Sequence, residues 1–295
     1  MISVSPGASR RLVLAGGASL ALAGCGGPKA KTPAPAAKPP RGGPQTIAEA
    51  VAGDWRLPAD RARDPWRHPV ESLTWWGLKP GMTVVELWPG AGWYTDILAP
   101  FLAATDGKLY AANLEPTDPT AIQIVDAYKA RLAANPKLFG KVEVTAFGPT
   151  SGPVAPAGSA DLVLFLRNLH NWMAAGIVDK AFKAAFAALK PGGVLGVEEH
   201  RAEAGQVQDV LVADGYVQQA YAIQLAKEAG FILGGTSEIN ANPKDTRDHP
   251  FGVWTLPPTR LSAPRGQPAT PGFDHAKYDA IGESDRMTLK LVKPK

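Results

Sequence analysis

The chain has 295 residues, of which 45% are hydrophobic and 20% charged, and these values are typical of a folded globular protein. Because it has one cysteine and no heptad or triplet repeat, it is not a disulfide-rich scaffold, a coiled coil or a collagen-like fibre. Residues 1–45 hold six lysines and arginines and no acid, so the net charge of +4 becomes −2 over residues 46–295, and no nucleic-acid partner is expected.

Residues 1–24 are typical of an export signal. Arg10 and Arg11 precede a run of thirteen apolar or small residues, which suits a signal peptide but is too short to span a bilayer, since a span takes roughly 20. The run ends in Leu-Ala-Gly-Cys, which resembles the bacterial lipobox, so we expect Cys25 to be acylated, for example with palmitate. The arginine pair fits the twin-arginine and the general secretory routes. These features predict a membrane-anchored lipoprotein in the cell envelope or periplasm.

Residues 25–45 are predicted to form a tether. They contain six prolines among alanines, glycines and lysines, a composition that cannot bury a core and favours extended, polyproline-like states. We therefore place the folded domain at residues 46–295.

From residue 46 onward, strand-like runs alternate with stretches of helical period. The predicted strands are Thr83–Leu87, Lys108–Ala112, Val142–Ala146, Ala160–Leu166 and Val194–Glu198. The predicted helices are Ile47–Val51 and Pro69–Trp76 before the first strand, and later ones that begin near Tyr94, Pro119, Val178 and Tyr216. This alternation predicts a doubly wound, Rossmann-like α/β fold, with a seven-stranded, mostly parallel sheet covered by helices on both faces.

The end of the chain departs from this alternation. Ile232–Ser237 and Met287–Val292 are strand-like, with no helix evident between them, and are predicted to form an antiparallel closing pair. The connection over about residues 239–284 is long for a compact domain. We expect it to be a lid or a substrate-binding insertion.

A glycine-containing loop follows the first predicted strand. Ligands of doubly wound sheets bind beyond the carboxyl ends of the strands, and glycines there let backbone amides approach a ligand. The chain reads Trp-Pro-Gly-Ala-Gly-Trp over residues 88–93. A nicotinamide-dinucleotide loop would need a third glycine where Thr95 stands, so a reductase is the weakest alternative.

This loop resembles motif I of the class I S-adenosylmethionine-dependent methyltransferases, in which an acid is followed by glycines at two-residue intervals. Glu86, Gly90 and Gly92 match the motif, and Trp88 stands in the place of the first glycine. Leu-Lys-Pro-Gly-Gly-Val-Leu, at residues 189–195, is similar to the family's turn into strand five. The resemblance implies that S-adenosylmethionine is the cofactor and that Glu86, Gly90 and Gly92 belong to its site.

The same resemblance implies a ribose-binding acid at the end of the second strand. Asn113 stands at the usual position and Glu115 two residues on, so we expect Glu115 to bind the ribose with Asn113 assisting. The runs at residues 166–172, 197–202 and 242–248 are similar to a group of predicted bacterial methyltransferases of unassigned substrate, many of which carry export signals.

Polar residues follow the strand Ala160–Leu166, where the transferred methyl group is expected to lie. We expect Asn168 to orient substrate or cofactor and His170 to act as general base, because a hydroxyl acceptor must lose a proton. Packing of the loop is the alternative role for His170. His200 follows two acids, but no close ligand spacing is present, so no metal is expected.

The sequence therefore predicts an exported, lipid-anchored methyltransferase that acts on a small molecule, a lipid or an envelope component. The alternative is a non-catalytic, ligand-binding lipoprotein on a methyltransferase fold. Trp88 and Asn113 favour this alternative because they depart from the family pattern, and S-adenosylmethionine is made in the cytoplasm. No oligomeric state is indicated.

Overall fold

The computed structural model describes residues 42–295. The export signal predicted for residues 1–24, the acylated Cys25 and most of the tether at residues 25–45 lie outside the described residues. Within the described part of the chain, none of the helices combines the length and the apolar character that crossing a membrane requires.

A seven-stranded sheet forms the centre of the described chain. The strands are β1 (Thr83–Leu87), β2 (Lys108–Leu114), β3 (Val142–Phe147), β4 (Ala160–Leu166), β5 (Leu189–His200), β6 (Ile232–Ser237), β7 (Pro250–Val253) and β8 (Arg286–Val292). Their order in the sheet is β3-β2-β1-β4-β5-β8-β6, and β7 lies outside it. Strands β1 to β5 pair in parallel, whereas β8 runs antiparallel to both β5 and β6. The predicted mostly parallel sheet with its antiparallel closing pair is confirmed.

Helices precede, connect and follow these strands. They are α1 (Ile47–Val51), α2 (Pro58–Arg61), α3 (Asp64–Arg67), α4 (Pro69–Trp76), α5 (Thr95–Ala104), α6 (Pro119–Ala134), α7 (Pro136–Phe139), α8 (Leu169–Ala174), α9 (Val178–Ala188), α10 (Gln219–Glu228) and α11 (Ala276–Ile281). The expectation that no helix separates the last two sheet strands is wrong, since α11 forms there together with β7. Helix α11 has six residues and one buried apolar side chain, so it carries no visible helical period.

Strand β1 contributes to two hydrophobic layers, because successive side chains of a strand point to opposite faces. Val85 and Leu87 pack with the buried residues of α9 on one face, and Val84 packs with those of α5 on the other. Glu86 shares the face of Val84. A carboxylate is therefore buried beneath the helix that follows the glycine loop.

Trp76, at the end of α4, packs this helix against β5 and β8. Its Nε1 donates to the carbonyl of Leu289 at 3.0 Å, and a Cβ at Gly196 would lie 2.7 Å from the indole. Glycine at residue 196 thus allows the close approach.

The strand order reverses between β1 and β4. From β1 the chain continues to β2 on one side, and from β4 it continues to β5 on the other. In doubly wound sheets the two connections diverge at this point and leave a crevice beyond the carboxyl ends of the strands. The residues that follow β1, β2, β4 and β5 are therefore the candidates for a ligand site.

Candidate functional site

The loop after β1 presents a glycine backbone at this edge. Gly90 adopts a φ of +59°, and a Cβ built on it would meet no atom within 4 Å. A Cβ on Gly92 would overlap Nη1 of Arg131, which donates to the carbonyl of Ala91 at 2.9 Å. Gly90 therefore leaves the loop backbone open to a ligand, whereas Arg131 supports the loop beside Gly92.

Trp88 stands where motif I has its first glycine, and its backbone adopts a conformation that is typical of glycine. Its φ is +49°, in the left-handed region that favours glycine. Its indole Nε1 donates to the carbonyl of Phe147 at 2.8 Å, and the ring lies edge-on to Phe147 and Trp172, with centroids 6.3 and 5.8 Å away. Tertiary packing thus holds this backbone, and the indole lies across the carboxyl end of β2, between β1 and β3.

Glu86 lies beneath the loop and is 2% exposed. Its carboxylate accepts a hydrogen bond at 2.7 Å from Oγ1 of Thr95, the first residue of α5. Burial raises the pKa of Glu86 to about 7, although the bond from Thr95 lowers it. Glu86 therefore anchors the start of α5 and supports the loop from below.

The two polar residues at the end of β2 differ in availability. Asn113 is 1% exposed; its Oδ1 accepts from the backbone N of Leu114 at 2.7 Å, and its Nδ2 is buried without a hydrogen-bond partner among residues 42–295. The carboxylate of Glu115 accepts from the backbone N of Thr150 at 3.0 Å and from its hydroxyl, and these bonds lower the pKa of Glu115. Within residues 42–295, Asn113 therefore keeps an unused N–H donor, whereas the Glu115 carboxylate is an acceptor that Thr150 already engages.

Asn168 joins the ends of β4 and β1. Its Nδ2 donates to the carbonyl of Trp88 at 3.0 Å and to that of Leu166 at 3.2 Å. Its Oδ1 accepts from Nδ2 of Asn171 at 3.2 Å. These are the contacts of a residue that positions the glycine loop.

His170, in the first turn of α8, is held by a carboxylate. The residue is 5% exposed, and its Nδ1 lies 2.8 Å from Oε1 of Glu199. Glu199 also accepts from the backbone N of Leu169 at 2.6 Å and of His200 at 2.8 Å. The carboxylate acts as an acceptor in all three bonds, so Nε2 is the His170 nitrogen that remains to exchange a proton.

His200 lies beside His170, with ring centroids 5.2 Å apart. Burial, His170 and nearby arginines lower the pKa of His200 well below its usual range, so the ring is neutral at pH 7. Ligand atoms of His170, Glu199 and His200 lie within 4.8 Å of one another, close enough to share a metal ion. The pairing of β4 with β5 produces this juxtaposition, which the spacing in the sequence does not reveal.

A cavity of about 190 Å³ adjoins the two histidines. Four arginines line it, namely Arg63, Arg67, Arg167 and Arg286. The long connection between β6 and β8 contributes Trp254, Pro257 and Pro258 to its wall. This segment therefore has the position that a substrate-binding insertion would need.

Comparisons with known proteins bear on the fold. No protein-family model matches the chain, and no curated protein sequence matches it. Among solved structures, a protein in the complex between the Haloferax volcanii Trm112 methyltransferase activator and a methyltransferase is 16% identical, with a TM-score of 0.50, and the match covers 84% of this chain and 97% of that chain. The chain shares its fold with this structure.

Two further solved structures are similar at low identity. A SAM-dependent methyltransferase from Aquifex aeolicus is 20% identical with a TM-score of 0.48, over 61% of this chain and 87% of that chain. Phosphoethanolamine N-methyltransferase 2 from Haemonchus contortus, solved with S-adenosyl-L-methionine, is 17% identical with a TM-score of 0.47, over 78% of this chain and 53% of that chain.

The structure places the predicted site residues along one edge of the sheet. Gly90, Gly92, Asn113, Glu115, Asn168 and His170 lie at or just after the ends of β1, β2 and β4, and Glu86 lies beneath that edge. Sequence reasoning missed Glu199 as the partner of His170, although two consecutive acids in an otherwise apolar strand were a signal. It also missed the arginines of the cavity.

Proposed function

We propose that this protein is an S-adenosylmethionine-dependent methyltransferase whose cofactor binds over the carboxyl ends of β1 and β2. One observation carries the proposal. Gly90 has a left-handed backbone with free space around it, and it lies where the strand order of the sheet reverses. The Nδ2 of Asn113, which is buried and has no hydrogen-bond partner among residues 42–295, supports it. A buried donor without an acceptor costs free energy that a ligand oxygen would recover.

The residues present fit this cofactor. Leu87 pairs with Ala112, so Trp88, the first residue after β1, stands beside Asn113, which still pairs with Ala146 of β3. Asn113 would donate to a ribose hydroxyl, and the backbone at Gly90 would accommodate the rest of the cofactor. When bound, S-adenosylmethionine supplies an activated methyl group for in-line transfer.

The remaining residues would align the acceptor and manage its proton. Asn168 fixes the loop by bonding the carbonyl of Trp88. Glu199 orients His170, which lines the cavity and would take the proton of a hydroxyl acceptor at Nε2.

One observation favours the alternative, a non-catalytic ligand-binding protein. The Trp88 indole lies across the carboxyl end of β2, between β1 and β3. On this alternative the fold is retained and the cofactor is not bound. The two proposals therefore differ in a binding measurement that requires no knowledge of the acceptor.

Calorimetric titration of the full-length protein with S-adenosylmethionine tests the proposal. We expect the wild type to bind and Gly90→Val to lose binding, because the valine side chain enters the ligand space. Gly158→Val is the matched control, since Gly158 has a φ of +62° and equally open space but precedes β4 at the opposite edge. Absence of binding by the wild type at millimolar cofactor would refute the methyltransferase, and equal loss in both variants would refute the assigned site.

We also propose that the protein is exported and lipid-anchored at Cys25, and that it acts on a small-molecule or lipid acceptor of the envelope. The support is the arginine pair, the apolar run and the Leu-Ala-Gly-Cys sequence. Metabolic labelling with palmitate in a bacterial host should label the wild type. Cys25→Ala should lose the label and leave the membrane fraction; a labelled Cys25→Ala protein contradicts the proposal.

A further inference from the structure

The cavity beside His170 carries more positive than negative charge. Arg63, Arg67 and Arg286 share one carboxylate, Glu283, with contacts of 2.7, 3.1 and 2.8 Å. Arg167 and Arg286 share a second, Glu198, at 3.0 and 2.9 Å. Four guanidinium groups thus face two carboxylates.

Several guanidinium nitrogens remain available to a ligand. Within the described part of the chain, the guanidinium group of Arg67 donates only through Nε, to Glu283, and that of Arg167 donates only through Nη1, to Glu198. Nη2 of Arg63 is buried and has no hydrogen-bond partner among the same residues. Guanidinium groups prefer planar, two-oxygen acceptors, so the unused donors match a carboxylate or a phosphate.

The titration behaviour of the two central groups agrees with this charge excess. Burial and the neighbouring Arg167 lower the pKa of Arg67 to about 9. The negative charge of Glu283 raises this pKa and offsets part of the shift. Burial by itself would raise the pKa of Glu283, but Arg67, Arg286 and Arg63 lower it to about 2. Glu283 is therefore ionised, and Arg67 still has an unfavourable electrostatic environment that an anion would improve.

A metal ion fits the same region less well. His170, Glu199 and His200 are close enough to bind one, but the oxygens of Glu199 already accept three N–H donors. The neighbouring guanidinium groups would repel a divalent cation. The charge of the whole cavity therefore favours an anion.

We propose that this cavity binds an oxyanion group, carboxylate or phosphate, of the methyl acceptor. The role as acceptor site rests on the proposed methyltransferase function, whereas the binding of the anion does not. A volume of about 190 Å³ corresponds to roughly six water molecules, enough for one such group and a few attached atoms. The anion would lie next to His170, so an adjacent hydroxyl would reach its Nε2.

Calorimetric titration of the full-length protein, without S-adenosylmethionine, tests the site with inorganic phosphate and with malonate in parallel. We expect one or both to bind, and the two arms distinguish phosphate from carboxylate recognition. Arg67→Gln should weaken binding by about tenfold or more, because a charged donor is lost. The matched control is Arg61→Gln, which removes the same charge from an exposed position on α2 and should leave binding unchanged.

A second variant keeps the test valid if Arg67→Gln unfolds. Arg63→Gln leaves Glu283 paired with two arginines and should also weaken binding, with the fold checked by circular dichroism. The proposal is overturned if neither anion binds the wild type, if both arginine variants bind as tightly as the control, or if zinc binds and neither anion does. Anion binding by a protein that does not bind S-adenosylmethionine would leave the oxyanion site standing and remove its role as acceptor site.

Discussion

At the scale of single residues, Glu86 links folding to pH. Its pKa is about 7 in the folded protein against an ordinary value of 4.5, because burial disfavours the ionised carboxylate. Between these two values the folded protein holds a proton that the unfolded chain has released. Binding of this proton stabilises the folded state. The stabilisation is fully present below about pH 4.5 and is lost as the pH rises through about 7.

Glu86→Gln should remove this pH dependence. Glutamine cannot ionise and still accepts the hydrogen bond from Thr95. We expect the variant to be more stable than the wild type at pH 8, by about 3 kcal/mol, and similar to it at pH 4.5. Urea unfolding at both pH values measures the difference. Glu143→Gln, at a salt bridge between half-exposed side chains, is the control; a Glu86→Gln effect that is the same at both pH values would contradict the explanation.

Two residues at the edge of the sheet adopt backbone conformations that are unfavourable for their side chains. Trp88, after β1, has a φ of +49°, and Arg167, after β4, has a φ of +57°. Such conformations cost about 1 kcal/mol or more each and persist where the surrounding structure imposes them. Both flank the reversal of strand order, so the strain coincides with the candidate site.

At the scale of elements, Asn240 fastens the long connection to the rest of the fold. It is fully buried, and its Nδ2 donates to Oγ of Ser72 in α4 at 3.0 Å and to Oγ1 of Thr288 in β8 at 2.9 Å. Its Oδ1 lies 3.3 Å from Nδ1 of His68. One side chain therefore ties the start of the cavity wall to a helix and a strand.

Asn240→Ala should destabilise the protein by about 2 kcal/mol or more, because it leaves buried polar partners unsatisfied and opens a small cavity. Denaturant unfolding with and without the substitution gives the value. Gln224→Ala, which removes an exposed amide from α10, should change stability by less than about 0.5 kcal/mol. Equal effects of the two substitutions would show that Asn240 is not an anchor.

The elements that the sequence predicted well are those with a strong local pattern. The apolar runs Thr83–Leu87 and Ala160–Leu166 match β1 and β4 to the residue. The short helices α2, α3 and α7 span four residues each, less than a clear helical period, and were not predicted. Local pattern thus predicts the sheet, whereas short helices depend on tertiary contacts.

At the scale of the whole molecule, the candidate site could be predicted only in part. Strand ends are local, and reasoning from them led to Gly90, Asn113 and His170. The cavity, in contrast, joins Arg63, before the first strand, to Glu283, near the end of the chain. No sequence pattern brings such distant residues together, so these contacts required the fold itself.

Charge also differs between the molecule and its cavity. Residues 46–295 have a net charge of −2, yet the cavity holds an excess of guanidinium groups. Two buried carboxylates, Glu198 and Glu283, compensate these groups in part. Net charge therefore excludes a broad cationic surface but carries no information about a small buried site.

The adjacency of Arg167 and Asn168 connects the two ends of the candidate site. Arg167 lines the cavity, and Asn168 bonds the carbonyl of Trp88 at the start of the glycine loop. A ligand that shifts one of these residues acts on the other through a single peptide bond. If ligands bind at both ends, thermodynamic reciprocity requires that each alters the affinity of the other by the same factor.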